Sequence, residues 1–221
     1  MSRAVAVLRP EPGNAATVAR VEAAGLTAIR LPLFDVRAVD WTVPDPDRFD
    51  ALILTSANAP RLAGPGLDAL VRLPVFAVGP ATAAAARTRG LTIAATGDGD
   101  GAEIVATLTE RGFTRALLLG GRERRVHAGG VVAEAITVYA SDPLPMDPAG
   151  IASLAGAVAL LHSARAAERL ASLVGDARAS IRLAAISDAV AAGAGPGWAG
   201  VAAAAMPDDA SLVALARRLA D

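Results

Sequence analysis

The chain has 221 residues, of which 53% are apolar and 3% aromatic, and its formal net charge is −1. A charge this close to zero gives no electrostatic reason to expect binding to nucleic acid or to an anionic membrane surface. The sequence contains no cysteine and no lysine. This excludes disulfides, thiolate catalysis, a Schiff-base lysine and a Walker-type phosphate loop.

The apolar runs are short and interrupted, and none approaches the roughly 20 residues that cross a bilayer. Met1-Ser2-Arg3 leads straight into a strand-like run, without the pattern of a signal segment. We therefore expect a cytoplasmic protein that contacts neither nucleic acid nor a membrane.

Short apolar runs, each followed by a turn and an alanine-rich stretch, recur along the chain and predict parallel βα units. The predicted strands are 4–8, 28–32, 51–55, 75–78, 92–95, 116–119, 135–139, 157–162, 183–186 and 201–205. The predicted helices are 14–24, 58–63 with 66–72, 80–89, 101–111, 127–133, 164–173, 188–194 and 208–220. Five strands in each half predict two flavodoxin-like three-layer α/β domains with parallel sheets, in which ligands bind at the carboxyl ends of strands.

The two halves of the sequence also resemble each other. Residues 50–59 are echoed by 157–166, and residues 75–82 are echoed by 183–190. The period is longer than the roughly 20–50 residues of solenoid repeats, so it predicts two similar domains. We expect the ligand in a cleft formed by these two domains.

Short polar side chains follow two of the matching strands, at 55–58 and at 163–165. Thr55, Ser56, Asn58 and Ser163 can cap the helices that follow, or they can bind an anion together with the free N–H groups of those helices. Both interpretations fit the sequence. A serine nucleophile is less favoured, because the Gly-x-Ser-x-Gly elbow is missing.

A glycine-proline pair opens the next helix, at Gly79-Pro80-Ala81-Thr82. Proline suits the first turn of a helix, and glycine permits close approach of a ligand to the backbone. By itself the motif is equally well explained as a helix start.

Arginines follow the first strand of each half, at Arg9 and in the run 122–125. Guanidinium groups in such positions suit carboxylate or phosphate, although arginine is also common on surfaces. Tyr139, the only tyrosine, ends a strand, where its phenol can donate a hydrogen bond or simply mark a domain edge. His127 and His162 lie in different sequence environments and do not indicate a metal site.

Taken together, these segments resemble the uroporphyrinogen-III synthase family over nearly the whole chain. The resemblance rests on the segments 7–10, 52–59, 77–83 and 161–167 and on Tyr139. It implies a swapped layout, with one discontinuous domain of residues 1–35 plus 143–221, a second domain of residues 41–138, and linkers at 36–40 and 139–142. The repetition alone would favour a simple cut near residue 113; both layouts satisfy the duplication, and the resemblance is the reason for choosing the swapped one.

The resemblance also implies the reaction: linear hydroxymethylbilane loses water and closes to uroporphyrinogen III with inversion of the terminal pyrrole. It implies no metal and no cofactor, and a monomer whose partner is this small, carboxylate-rich tetrapyrrole. By this resemblance Tyr139 is the catalytic residue. The implied substrate-binding residues are Arg9, Thr55, Ser56, Asn58, Gly79, Thr82, Arg122, Ser163 and Arg165.

Two segments depart from the family pattern. Residues 187–190 lack the threonine of the usual Gly-Pro-x-Thr, and Gly120-Gly121-Arg122 differs from the usual Arg-Gly-rich form. An alternative is a non-catalytic two-domain protein that binds a small anionic ligand. A sugar or nucleotide transferase is a weaker alternative, because the chain has no Gly-x-Gly-x-x-Gly fingerprint.

Overall fold

Eleven strands and eight α-helices alternate along residues 2–221, the part of the chain that this computed structural model describes. The strands are β1 (Val5–Val7), β2 (Ala28–Arg30), β3 (Phe34–Ala38), β4 (Ala51–Leu54), β5 (Val75–Ala77), β6 (Ile93–Thr96), β7 (Ala116–Gly121), β8 (Val132–Pro143), β9 (Val158–Leu161), β10 (Arg182–Ala185) and β11 (Gly200–Ala203). The α-helices are α1 (Gly13–Ala23), α2 (Asn58–Leu62), α3 (Pro80–Arg87), α4 (Gly101–Glu110), α5 (Pro148–Ala152), α6 (Ala164–Val174), α7 (Asp188–Ala192) and α8 (Asp209–Ala220). Short 3-10 helices cover Pro46–Arg48, Gly64–Leu70 and Gly175–Ser180.

The chain divides into two compact units. Unit 1 contains the residues up to Asp35 together with Asp142–Asp221, and unit 2 contains Val36–Ser141. The sheet of unit 1 has the spatial order β2-β1-β9-β10-β11, and every neighbouring pair is parallel. Counted along the chain of the unit, this is the 2-1-3-4-5 order of a flavodoxin-like sheet.

Unit 2 repeats the same spatial order with a different chain order. Its parallel strands run β8-β7-β4-β5-β6. In this sheet β7 and β8 occupy the positions of β1 and β2, and β4, β5 and β6 occupy those of β9, β10 and β11. The repeat in the sequence is therefore also a repeat in space, and the predicted mixed α/β fold with parallel sheets is confirmed.

An additional strand, β3, lies at the edge of the unit 2 sheet beside β8. The N–H of Val39 donates to the oxygen of Val138 and the N–H of Leu144 donates to the oxygen of Leu33, each at 3.0 Å, so the two strands run antiparallel. No strand was predicted here, and the stretches expected to be linkers overlap β3 and the end of β8. The strand signal was present in the alternation of Phe34, Val36 and Ala38 with charged residues.

The predicted helix over 127–133 is wrong, because residues 122–131 connect β7 to β8 without any helix. Gly129 and Gly130 have φ angles of 144° and 55°, and the N–H of Gly129 donates to the oxygen of Val132 at 2.9 Å. Glycine adopts such angles readily and is a poor helix former, so the pair makes a turn. The corresponding connection in unit 1 contains α1.

Helix α5 was not predicted, although its start has a clear signal. The carboxylate of Asp147 accepts from the N–H of Ala149 at 3.1 Å, and Pro148 takes the first helical position. An N-cap aspartate followed by proline is a common helix start. The helix is only five residues long, so it gives little periodicity to recognise.

Each sheet is covered by apolar side chains on both faces, and most of them come from alanine, valine and leucine. Phe76 of β5 is the largest fully buried side chain. Its ring meets the ring of Phe113 edge to face, with centroids 5.0 Å apart. No helix within residues 2–221 is long and apolar enough to cross a membrane.

Each of the small core residues buries little apolar surface. We therefore expect the stability of unit 2 to depend strongly on Phe76. Phe76→Ala should lower the free energy of unfolding by about 3–5 kcal/mol, as measured by urea denaturation. Val71→Ala is the control, because Val71 is 41% exposed and should cost no more than about 0.5 kcal/mol. Equal losses for the two variants would contradict this account of the core.

Candidate functional site

The carboxyl ends of four strands of unit 2 surround a cavity of about 260 Å³. Thr55 follows β4, Val78 follows β5, Gly121 ends β7, and Tyr139 lies near the end of β8. The remaining lining residues are Gly99, Gly101, Glu123, Arg124, Arg125 and Val126. Parallel strands bring their carboxyl ends to one edge of the sheet, which is where ligands bind in such folds.

The space for Tyr139 depends on Gly121. A Cβ atom built on Gly121 would lie 2.7–2.9 Å from the ring and hydroxyl atoms of Tyr139, which is too close for any side chain. The neighbouring Gly120 is close to two other lining residues. A Cβ on Gly120 would be 3.6 Å from Thr55 Oγ1 and 3.8 Å from Arg124 Cδ. Gly120 therefore leaves room for Thr55 and Arg124, and Gly121 leaves room for Tyr139, at the end of β7.

A bulge between β7 and β8 also directs Tyr139. Gly120 pairs with Thr137, whereas the next residue, Gly121, pairs with Tyr139, so that β8 has one extra residue at Val138. Bulges of this kind are frequent beside active sites because they re-aim a side chain. The N–H of Arg122 donates to the backbone oxygen of Tyr139 at 3.0 Å and holds the strand at this point.

Arg124 is a polar side chain of this cavity that was not among the predicted site residues. Its Nη2 donates to Thr137 Oγ1 at 2.8 Å. Its Nη1 is buried and has no hydrogen-bond partner anywhere in residues 2–221. The sequence showed only a run of arginines over 122–125, and nothing in that run distinguishes Arg124 from its neighbours.

Ser163 is the N-cap of α6, whereas Ser56 precedes Ala57, the N-cap of α2, and makes a turn with the first residue of that helix. Ser56 Oγ accepts from the N–H of Asn58 at 3.2 Å, and Ser163 Oγ accepts from the N–H of Ala166 at 3.2 Å. A hydroxyl has one donor and two acceptor positions, so a capping serine can still donate to a ligand. Both interpretations from the sequence therefore remain compatible with the contacts.

The other predicted residues of unit 2 lie in different settings. Gly79 is in extended backbone before α3, and a Cβ there would make only ordinary contacts, 3.9 Å away. Thr82 lies within α3 and is 4% exposed. Arg122 is exposed on the loop after β7.

In unit 1, the side chain of Asp209 at the start of α8 gathers polar groups from three other elements. Thr17 Oγ1 donates to its two carboxylate oxygens at 2.9 and 3.0 Å, and Arg20 Nη1 lies 2.6 Å away. His162 Nε2 is 2.8 Å from Asp209 Oδ1, and Arg9 Nη1 is 3.6 Å from the same oxygen. We call these five residues the Asp209 network.

This network shifts the pKa of both Asp209 and His162. Burial would raise the pKa of Asp209, but hydrogen bonds from His162 and Thr17 and the charge of Arg9 lower it to about 2. Burial lowers the pKa of His162 below its ordinary value; the hydrogen bond to Asp209 opposes this shift without cancelling it, and the Arg9 charge adds to it. At neutral pH an ionised Asp209 therefore accepts the Nε2 proton of a neutral His162. The Nδ1 atom of His162 is buried without a hydrogen-bond partner in the described residues.

Arg165, another predicted substrate-binding residue, packs over an aromatic ring in unit 1. Its guanidinium carbon lies 4.4 Å from the centroid of Phe34. Arg9 likewise reaches Thr17 and Asp209 within its own unit. Within residues 2–221, no group of three or more histidine, cysteine or acidic side chains is placed to hold a metal ion.

The shifted pKa of His162 makes the stability of unit 1 sensitive to mild acid. As pH falls from about 7 to about 5, the unfolded chain takes up a proton on His162 that the folded chain resists, so the free energy of unfolding should decrease. The contribution of Asp209 is present above its unfolded pKa of 3.8 and is lost only as pH falls toward about 2. In His162→Gln, whose amide can still donate to Asp209, the decline between about pH 7 and about pH 5 should shrink.

Urea denaturation at a series of pH values measures this decline. His127→Gln, at an exposed position outside the network, is the control for removing a histidine. Parallel profiles for the wild type and His162→Gln would show that His162 does not cause the pH dependence.

Comparison with known proteins agrees with this architecture. A family model described as Uroporphyrinogen-III synthase HemD matches residues 15–214. The crystal structure of uroporphyrinogen-III synthetase from Helicobacter pylori aligns with a TM-score of 0.64 and 18% identity, over 99% of this chain and 100% of that one. A mutant uroporphyrinogen III synthase from the extremely thermophilic bacterium Thermus thermophilus aligns with a TM-score of 0.60 and 17% identity, over 99% of each chain.

At these identities the two structures support the fold, and no curated protein sequence matches the chain. The family model, however, covers nearly the whole chain. This protein therefore belongs to the uroporphyrinogen-III synthase family of tetrapyrrole-biosynthetic enzymes.

Proposed function

We propose that the enzyme is a carbon–oxygen lyase that removes water from linear hydroxymethylbilane and closes the ring to uroporphyrinogen III, with inversion of the terminal pyrrole. The observation that carries this proposal is the cavity of unit 2, which Tyr139 lines together with Thr55 and Arg124. A proton donor, a hydroxyl and a cation at one place suit a substrate that carries both a leaving hydroxyl and carboxylates.

In this proposal Tyr139 is the catalytic residue. The bond between the terminal carbon and its hydroxyl oxygen breaks, and the electron pair leaves with the oxygen. The phenol donates a hydrogen bond or a proton to that oxygen; when the proton is transferred the oxygen departs as water, and the phenolate regains the proton that the pyrrole carbon releases when the ring closes. A positioned acid of this kind typically contributes about 10²–10⁴-fold to the rate.

The rest of the proposed machinery positions the substrate. Ring closure with inversion requires a flexible chain to be held in one geometry, and such positioning can supply several kcal/mol. The proposed carboxylate-binding residues are Thr55, Ser56, Asn58, Gly79, Thr82 and Arg122 in unit 2 and Arg9, Ser163 and Arg165 in unit 1. Thr55 has the strongest support, because it lines the cavity.

Three further parts of the proposal come from the sequence. The enzyme acts without a cofactor, as a monomer, and in the cytoplasm. Light scattering of the purified protein measures the oligomeric state directly.

Incubation of the purified protein with freshly prepared hydroxymethylbilane tests the proposed reaction. We expect uroporphyrinogen III as the main product, formed much faster than spontaneous closure, because only an enzyme that inverts the terminal pyrrole gives this isomer. Chromatographic separation of the product isomers measures the ratio. Isomer I at the spontaneous rate would contradict the proposal and favour a protein that binds an anionic ligand without converting it.

The role of Tyr139 is tested by Tyr139→Phe, which removes the hydroxyl and keeps the ring. The value of kcat should fall by about 10²–10⁴-fold while KM changes little, because the lost group acts on the leaving oxygen. Steady-state kinetics with hydroxymethylbilane measures both constants. Turnover within about threefold of wild type would rule out this role, since a positioned acid contributes far more.

A second variant keeps the phenol of Tyr139 but changes its position. Gly121→Ala places a methyl group within 2.7 Å of the Tyr139 ring and should displace it, so we expect a similar loss of kcat with the hydroxyl intact. Thermal melting shows whether either variant is folded. Wild-type kcat in folded Gly121→Ala would mean that the observed position of Tyr139 is not required.

A further inference from the structure

The connection between β7 and β8 differs from its counterpart in unit 1. In unit 1 the chain passes from β1 to β2 through α1, whereas in unit 2 residues 122–131 contain no helix. Parallel neighbours are usually joined by a dozen or more residues, most often including a helix. Unit 2 therefore lacks a helix N-terminus at the end of β7, and with it a set of free N–H groups that would suit an anion.

Arg124 lies on this shortened connection and enters the cavity lining. Thr137 Oγ1 accepts from its Nη2 at 2.8 Å, while Nη1 is buried without a partner among residues 2–221. Leaving a charged donor buried and unpaired is costly, so the group calls for a partner that the protein itself does not supply, such as water, an ion or a ligand. The anchor on Thr137 also limits the freedom that the guanidinium would lose on binding.

The two units differ further at the first residue of the helix that follows the last parallel strand, although Glu123 also lines the cavity of unit 2. Asp208 caps α8 and Asp100 caps α4, each by accepting from a backbone N–H. The residue after the cap is Asp209 in unit 1, which binds the arginines there, but in unit 2 it is Gly101, which lines the cavity. A Cβ on Gly101 would lie 2.6 Å from Val126 Cγ2, so a larger residue does not fit.

We propose that Arg124 binds a carboxylate of the substrate in the cavity that Tyr139 lines, and takes the place of the missing helix N-terminus. This inference rests on the function proposed above. The planar guanidinium matches a carboxylate with two parallel N–H groups, and Thr137 leaves donors available for this contact. Arg124 thus holds one end of the substrate while Tyr139 acts on the leaving hydroxyl.

Arg124→Gln removes the charge and the forked donor. We expect KM for hydroxymethylbilane to rise roughly 10-fold to 100-fold, because a charge-assisted pair is lost, while kcat stays within a few-fold of wild type. The matched control is Arg87→Gln, which makes the same change at an exposed position on α3 and should keep the wild-type KM. Steady-state kinetics measures both variants, and thermal melting shows that they are folded.

Two more variants keep the test decisive if Arg124→Gln is unstable. Arg124→Lys retains the charge but lacks the two parallel N–H donors of the guanidinium. Its KM should lie between those of the wild type and Arg124→Gln. Thr137→Val removes the anchor and leaves the arginine, so it should raise KM by roughly twofold to tenfold, as expected for one hydrogen bond. A wild-type KM in folded Arg124→Gln, or in both Arg124→Lys and Thr137→Val, would overturn the proposal.

The outcome for the wild type separates this inference from the proposed function. If the wild type does not convert hydroxymethylbilane, the proposed function fails, whatever the variants do. If it does and Arg124→Gln matches Arg87→Gln, only the role of Arg124 fails. Fluorescence anisotropy with uroporphyrin, the oxidised product, gives a second measure: weaker binding to Arg124→Gln than to Arg87→Gln supports the carboxylate contact, and equal binding contradicts it.

Discussion

The candidate site depends on the missing side chain of Gly121. Atoms of the Tyr139 side chain occupy the space where a Cβ would lie, at 2.7–2.9 Å, so every residue other than glycine would move the phenol. The adjacent bulge, which adds Val138 to β8, turns the end of the strand toward this space. Glycine and bulge are both local backbone features, and together they place the one tyrosine of the chain against the end of β7.

Because the two units share one strand order, their hydrogen bonding can be compared at corresponding strand ends. Both sheets have the same spatial order of five parallel strands, so the end of β1 corresponds to the end of β7. At the first of these, Arg9 faces Asp209, and the polar groups of the Asp209 network largely satisfy one another. At the second, Arg124 has one hydrogen bond to Thr137 and a buried Nη1 left over. Arg9 of unit 1 thus has a carboxylate partner in Asp209, whereas Arg124 Nη1 of unit 2 has none in the described residues; His162 Nδ1 of unit 1 is likewise without a partner there.

All ten strands predicted from the sequence are present, because strands covered on both faces read as continuous apolar runs. The missed strand, β3, is a short edge strand in which charged residues alternate with apolar ones, so it has no such run. The helix predicted over 127–133 is absent for a different reason. A helix was expected there from the alternation of strands and helices, but the adjacent Gly129 and Gly130 make a turn instead.

The candidate site was less accessible to sequence reasoning than the fold. Tyr139 and Thr55 could be proposed from the family resemblance and from their positions at strand ends. Arg124 could not be separated from the other arginines of the run 122–125, because the difference lies in one contact with Thr137. The pairing of His162 with Asp209 joins residues 47 positions apart, and only the packing of α8 against β9 brings them together.

The arginines at corresponding places in the two units differ in their pairing, and this difference bears on which unit can bind a ligand there. A buried charge that is fully paired contributes to a unique packed structure but has no remaining donors for a ligand. A buried cation with an open donor is unfavourable in the empty protein, and a carboxylate ligand removes that cost when it binds. Unit 2 has Gly101 at the start of α4 where unit 1 has Asp209 at the start of α8, and it has a loop after β7 where unit 1 has α1 after β1. In the proposed carboxylate contact, these two differences leave Arg124 Nη1 without the acidic partner that Asp209 provides to Arg9 and Arg20 in unit 1.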